Sequence, residues 1–249
     1  MTAERSGPAE RSGPGGRLAG AGSTYDGRRR AVLAMDTATT RVVVATGSPQ
    51  GRVDGITTWT AGYRHGETLL ATIGRLLGEQ NIRRSRLTGI VVGIGPGAFT
   101  GLRVGIATAK GLAHGLGLPI VGISTAEALL AGVPDGDGEP VLLLPAGPSD
   151  RILVRAGGRP ELLPGGREPD LAPGEWLVAV DLAGRAPADA VERGEGARNG
   201  LGPALIRLGA ERLRRGDVDD LAGLVPEYVT LPRGVTSQRG EVAWSRDPR

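Results

Sequence analysis

Short apolar runs punctuated by glycine and threonine organise the first half of this chain. Ala31-Val32-Leu33-Ala34-Met35-Asp36 is an unbroken apolar run closed by an acid, and Arg41 to Gly47 is a second. Runs this short and continuous predict strands buried on both faces, joined as a hairpin through Thr37–Thr40. Ile56 to Ala61 reads as a third strand. Glu67 to Gly78 places Leu69, Leu70, Ile73, Leu76 and Leu77 at helical spacing. Strand 88–94, helix 100–116 and strand 119–123 then form a β-α-β unit, which favours a parallel portion of sheet. Ser124-Thr125-Ala126-Glu127 is a capping box that opens a further helix. After Gly132 the pattern weakens. Residues 133–140 read as a linker, Val141–Leu144 and Ile152–Ala156 as paired strands, and Glu175–Asp181 as another strand. Pro203–Arg215 is an amphipathic helix with Leu205, Leu208 and Leu213 on its apolar side. The pattern predicts an α/β protein of two lobes divided near residue 132, the second small and rich in loops.

Three segments carry candidate chemistry. Asp36-Thr37-Ala38-Thr39-Thr40 puts a carboxylate and hydroxyls into a hairpin turn. Such a turn can hold a hydrated metal ion and phosphate oxygens, or it can be stabilised by its own side chain–backbone bonds and need no ligand. The corner Gly95-Pro96-Gly97-Ala98-Phe99-Thr100-Gly101 joins a strand to a helix. Gly95 and Gly97 can cradle an anion with backbone N–H groups, admit a second backbone, or supply a tight turn at positive φ. Phe99, the sole phenylalanine, is expected to plug the core, and Thr100 to cap the helix. In that helix Leu102, Ile106, Ala109, Ala113 and Leu116 follow the spacing of a helix–helix seam. Gly101, Gly105, Gly111 and Gly115 each cost about 1 kcal/mol relative to alanine in an exposed helix. The helix is therefore expected to be covered on more than one side, by the sheet and by either the second lobe or a partner protein.

Composition narrows the choices. With 249 residues and 39% hydrophobic content the chain can bury a substantial core, and no apolar run approaches the roughly 18 residues of a membrane span. No signal peptide is visible in the first 30 residues, and the absence of cysteine excludes disulfides and thiolate catalysis, so a cytoplasmic setting is expected. The only histidines, His65 and His114, do not form a metal-ligand pair at usual spacing. Residues 1–30 hold six arginines against Glu4, Glu10 and Asp26, and the remaining 24 basic and 24 acidic residues cancel. The net charge of +3 thus lies in a repetitive N-terminal tail, expected to be disordered.

Taken together, Val32-Leu33-Ala34-Met35-Asp36-Thr37-Ala38-Thr39, Gly95-Pro96-Gly97-Ala98-Phe99-Thr100-Gly101-Leu102-Arg103-Val104-Gly105, and Leu118-Pro119-Ile120-Val121-Gly122-Ile123-Ser124-Thr125 resemble the TsaB (YeaZ) family. Pro226-Glu227-Tyr228-Val229 and Val242-Ala243-Trp244 are similar to that family's ending. The resemblance implies a two-lobed actin-like, sugar-kinase (ASKHA) fold with ribonuclease-H-like sheets and a reduced second lobe. The expected division is 1–28 tail, 29–132 first lobe, 133–232 second lobe and 233–249 C-terminal tail. It also implies a non-catalytic subunit in the synthesis of N6-threonylcarbamoyladenosine in tRNA. Such a subunit pairs with the transferase TsaD, with the ATPase TsaE as a further partner, reaches tRNA through the complex, and can pair with itself in isolation. Carried onto this chain, the interface residues would be Leu69, Ile73, Leu76, Leu102, Ile106, Ala109, Ala113 and Leu116. No cofactor is required, although Asp36, Thr37, Gly95 and Gly97 could form a degenerate ATP/ADP and Mg site. The second lobe departs from the family pattern, with Pro145-Ala146-Gly147 where Asp-Ala-Arg is usual. The alternative is an active ATPase or small-molecule kinase of the same superfamily.

Overall fold

The computed structural model describes residues 30–60, 65–134, 136 and 138–229. The two tails expected at 1–28 and 233–249 lie outside these residues. The first sheet contains β1 (Ala31–Asp36), β2 (Arg41–Gly47), β3 (Val53–Thr60), β4 (Leu87–Gly93) and β5 (Ile120–Ile123), ordered β3-β2-β1-β4-β5. β1, β2 and β3 pair antiparallel, whereas β4 and β5 run parallel to β1. The second sheet contains β6 (Glu139–Ala146), β7 (Asp150–Val154), β8 (Glu161–Leu163) and β9 (Glu175–Ala179), ordered β8-β7-β6-β9. Its antiparallel triplet followed by one parallel strand repeats the first sheet without a fifth strand. This is the reduced second lobe expected from the sequence.

The helices are α1 (His65–Glu79), α2 (Phe99–Leu116), α3 (Thr125–Leu130) and α4 (Ala188–Arg215). Alternation along the central strands assigns each face. Leu33, Met35, Ile90 and Val92 pack under α1 and α2 with Leu69, Ile73, Leu76, Ile106, Ala109 and Ala113. Val32, Ala34, Val43 and Val91 point the other way, into a core shared with Leu142, Leu144 and Val178 of the second sheet and with α3 and α4. Leu143, Leu153 and Leu177 form a third cluster on the far face of the second sheet. The boundary near residue 132 thus separates two sheets but not two cores, because α3 and α4 fill the space between them.

α4 begins at Ala188, well before the expected start at Pro203. Proline at an apparent first turn and the glycines at 194, 196, 200 and 202 disguise the upstream half as loop. Those glycines are used for close packing. A Cβ on Gly194 would lie 1.9 Å from the Ala179 carbonyl oxygen, and one on Gly200 would lie 2.1 Å from that of Gly132. Tertiary contact therefore overrides weak helical propensity. The short strand β8 carries too little alternation to be read from its three residues.

The glycine corner is also a packing device. A Cβ on Gly97 would meet the Ala38 carbonyl oxygen at 2.3 Å, one on Gly101 the Thr37 carbonyl oxygen at 2.0 Å, and one on Gly105 the Thr37 hydroxyl at 2.2 Å. The first turns of α2 thus rest directly on the β1–β2 hairpin. Gly111 and Gly115 have nothing within 4 Å. Gly101→Ala should therefore lose about 1–3 kcal/mol of stability by overpacking, and Gly111→Ala should gain about 0.5–1 kcal/mol in the isolated chain. Urea unfolding of both variants checks the sign of each.

Candidate functional site

Asp36 closes β1 at the point where the hairpin, the glycine corner and α3 meet. Its carboxylate is fully buried. One oxygen accepts from the Ala38 N–H and the other from the Thr125 hydroxyl, each at 2.7 Å. The Thr125 hydroxyl in turn accepts from the Gly95 N–H at 3.0 Å, while the Thr125 N–H donates to the Gly95 carbonyl at 2.7 Å. Thr37, also buried, donates its hydroxyl to the Gly101 carbonyl at 2.7 Å. The Ala98 N–H at the head of α2 donates to the Ala38 carbonyl at 2.7 Å. The structure thus brings Asp36, Thr37, Gly95 and Gly97 together, as the sequence suggests, but around the chain's own backbone. Burial pushes the Asp36 carboxyl up to about 6 despite the two hydrogen bonds that favour its ionised form.

A second polar cluster joins the lobes beside this node. The Thr40 N–H and hydroxyl donate to the two Asp181 carboxylate oxygens at 2.7 and 2.5 Å. Arg198 of α4 donates to the same carboxylate at 2.6 Å and also pairs with Glu195. Arg41 bonds Glu195 at 3.0 Å and Asn199 at 2.9 Å. Asp181 holds a left-handed backbone, φ 59°, just after β9. Thr40 offers the donors of a phosphate-binding turn, and here an internal carboxylate occupies them. Nothing in the sequence at Asp181 signals this pairing, which depends on the placement of the second sheet.

The expected partner residues divide by face. Leu69, Ile73, Leu76, Leu102, Ile106, Ala109 and Ala113 are all buried inside the first lobe, and of the eight only Leu116 reaches the surface, 37% exposed. The heptad-like seam of α2 is therefore occupied by the chain's own sheet and α1. The solvent side of the same two helices carries a different set. Leu70 is 55% exposed and, with Gly74, Gly111, Leu112, Gly115 and Leu116, lines a groove of about 380 Å³. The open glycines lie on this outer side.

Two further expectations are corrected. Phe99 does not plug the core. Its ring is exposed, stacked 3.7 Å under the Arg103 guanidinium and 5.3 Å from the Tyr228 ring, with Arg103 donating to the Tyr228 hydroxyl at 3.0 Å. This clasp ties the end of the described chain to α2, through residues too distant in sequence to be linked by pattern. Thr100 is not the helix cap, because α2 begins one residue earlier with Ala98 at the cap and no side-chain bond there. The capping box at Ser124 is present, its hydroxyl accepting from the Glu127 N–H at 3.5 Å. The side chain of His65 lies outside the described residues.

Comparison with known proteins adds the following. Residues 26–183 match the family described as TsaD: tRNA N6-adenosine threonylcarbamoyltransferase. YeaZ from Pseudomonas aeruginosa superposes with a TM-score of 0.63 at 25% identity, covering 80% of this chain and all of that one. The fold is thus the YeaZ-like, actin-like ASKHA fold. The tRNA N6-adenosine threonylcarbamoyltransferase of Paracoccus denitrificans is 34% identical over 128 residues, which is 51% of this chain and 36% of that protein. An uncharacterized protein of Mycobacterium leprae is 37% identical over 105 residues, 39% of this chain and 28% of that protein. The chain spans roughly a quarter to a third of the length of these two relatives.

Two outcomes follow from the buried carboxylates. Asp36 binds its proton more tightly folded than unfolded, so its contribution to stability should rise as pH falls from above 6 towards 4, by about 3 kcal/mol at most. Asp36→Asn should flatten that part of the pH profile, measured by denaturant unfolding between pH 4 and 7. Asp181→Ala leaves the Thr40 donors without a partner and Arg198 with Glu195 alone at the lobe junction, and should cost about 1–3 kcal/mol in the same assay at pH 7.

Proposed function

The chain belongs to the family of TsaD, tRNA N6-adenosine threonylcarbamoyltransferase, and from that premise we propose that it serves as a TsaB-type, non-catalytic subunit. It pairs with the transferase through the outer face of α1 and α2 and so supports formation of N6-threonylcarbamoyladenosine in tRNA, with the ATPase TsaE as a further partner. The observation that carries this reading is the open apolar groove between Leu70 and Leu116, floored by glycines with no neighbours. Glycine at exposed helical positions lowers helix stability unless something else approaches the backbone. A helix hairpin laid into the groove would bury Leu70 and Leu116 and use Gly74, Gly111 and Gly115 for close backbone contact, as in helix-in-groove recognition. The small residues fix the separation, and the leucines supply the apolar area.

The geometry of the Asp36–Thr40 turn supports the non-catalytic half of the reading. Both Asp36 oxygens are bonded within the fold, and the Thr40 donors hold Asp181. A kinase-like reaction at this turn would need the Asp36 carboxylate facing substrate, and in this fold it faces Thr125. The chain's own residues therefore position, and the paired transferase supplies the chemistry. A homodimer formed through the same groove in the absence of the transferase follows from the same apolar surface.

Mixing the purified chain with the transferase of the same organism should give a one-to-one complex by size-exclusion chromatography with light scattering. Leu70→Glu with Leu116→Glu should abolish that complex while leaving the thermal unfolding of the isolated chain within a few degrees of the parent. No complex with the parent chain at micromolar concentration would refute the proposal.

A further inference from the structure

The chain's charge balance hides a strong local asymmetry. At the end of the first sheet where β1 and β4 begin, Arg30 immediately precedes β1 and Arg86 immediately precedes β4. These strands are parallel neighbours with Ala31 opposite Leu87. The loop between β2 and β3 returns to the same end, where Arg30 and Arg52 line one cavity of about 440 Å³ with Ser48, Pro49 and Gln50. The last turns of α4 reach this end as well. Gly51 packs on the backbone of Arg207, and Leu213 packs over Gly89. Arg214 is thereby added at the solvent side of the helix, exposed, while Arg207 donates to the Ala131 carbonyl at 3.3 Å. Arg84 completes the set at the border between this face and the α1–α2 groove, which it also lines.

The carboxylates that these segments carry are already engaged. Asp54 is 4% exposed and pairs with Arg52 at 3.4 Å, Glu211 pairs with Arg215, and Asp217 pairs with Arg212 at 2.7 Å. Glu211 and Asp217 thus make their ion pairs with Arg215 and Arg212 of their own segment. A single-signed arginine face on a chain whose positive and negative residues otherwise nearly cancel is an electrostatic footprint for a polyanion. Guanidinium groups spread over a sheet end and a helix end, with no exposed aromatic ring among them in the described residues, suit phosphates of a backbone rather than unstacked bases.

We propose that this face is an RNA-backbone contact surface, through which the chain itself holds the phosphates of the tRNA acted on by the complex. The inference rests on the reading of the chain as a subunit of that tRNA-modifying assembly. Because Arg84 borders the groove offered to the transferase, RNA lying on the transferase could continue onto this face without crossing an acidic gap. Contacts of this class add affinity and set orientation, and they carry no sequence preference of their own.

The test uses the full chain alone, so its outcome does not depend on whether the transferase binds. An unmodified, in vitro transcribed tRNA with a fluorescent label is titrated by anisotropy at several salt concentrations. Arg30→Gln, Arg86→Gln and Arg214→Gln combined should weaken binding at least tenfold at low salt and reduce the log–log salt slope by about 2, from roughly 0.7 per lost phosphate contact. Arg159→Gln with Arg167→Gln, on the second lobe, should leave both quantities unchanged. The three substituted arginines lie outside the core, and circular dichroism is used to check that the triple variant folds. Unchanged affinity in the triple variant, or an equal loss in the second-lobe control, overturns the proposal. So does a triple variant that retains tRNA affinity but loses the complex with the transferase, because the face would then be a protein contact.

Discussion

The hairpin, the glycine corner and the start of α3 are held together by one buried hydrogen-bonded carboxylate. Asp36 links the end of β1 to Thr125 of α3, and Thr125 holds Gly95 by both its hydroxyl and its N–H. Three elements that are remote in sequence are thereby fixed within a few ångströms. With the corner held, α2 must leave it directly over the hairpin, and only glycine at 97, 101 and 105 leaves room for the Thr37–Ala38 backbone beneath. Burying a carboxylate is expensive, and its two hydrogen bonds offset that only in part, so it retains a proton more readily than a surface acid. The fold accepts that penalty in exchange for a single registered arrangement of hairpin, corner and helix.

Much of this lobe was legible in the sequence because short-range pattern and tertiary role agree there. The apolar runs at Ala31–Asp36 and Arg41–Gly47, the spacing of Leu69, Ile73 and Leu76, and the capping box at Ser124 each determine their element locally. The candidate site was legible only as a set of residues. Composition could not reveal that Gly97 and Gly101 face the hairpin whereas Gly111 and Gly115 face solvent, because that depends on how α2 lies on the sheet. Phe99 is the clearest case. An aromatic residue beside a core strand is expected inside, yet Arg103 and Tyr228 hold its ring at the surface. In the second half, the glycines of α4 lower its helical signal, and contacts with both sheets restore the helix.

The two faces of the α1–α2 layer divide its work. Its inner face, with Leu102, Ile106, Ala109 and Ala113, completes the chain's own core. Its outer face leaves a shallow apolar channel without a resident occupant among the described residues. The same economy is seen at the lobe junction, where Thr40 and Arg198 enclose an acid of the chain itself. Around Thr40 the junction is thus filled by internal pairs, whereas the outer side of the two helices is left open.

α4 has a mechanical consequence. Two-lobed proteins that open and shut do so about a slender connection, with each lobe keeping a separate interior. Here one long helix is bedded in both sheets, with Gly194 against Ala179 of the second and Gly209 against Val91 of the first. Any jaw-like rotation would have to prise a continuous apolar interior apart. The helix acts as a keel rather than a hinge, and a push on either lobe is transmitted through it as the motion of a stiff body.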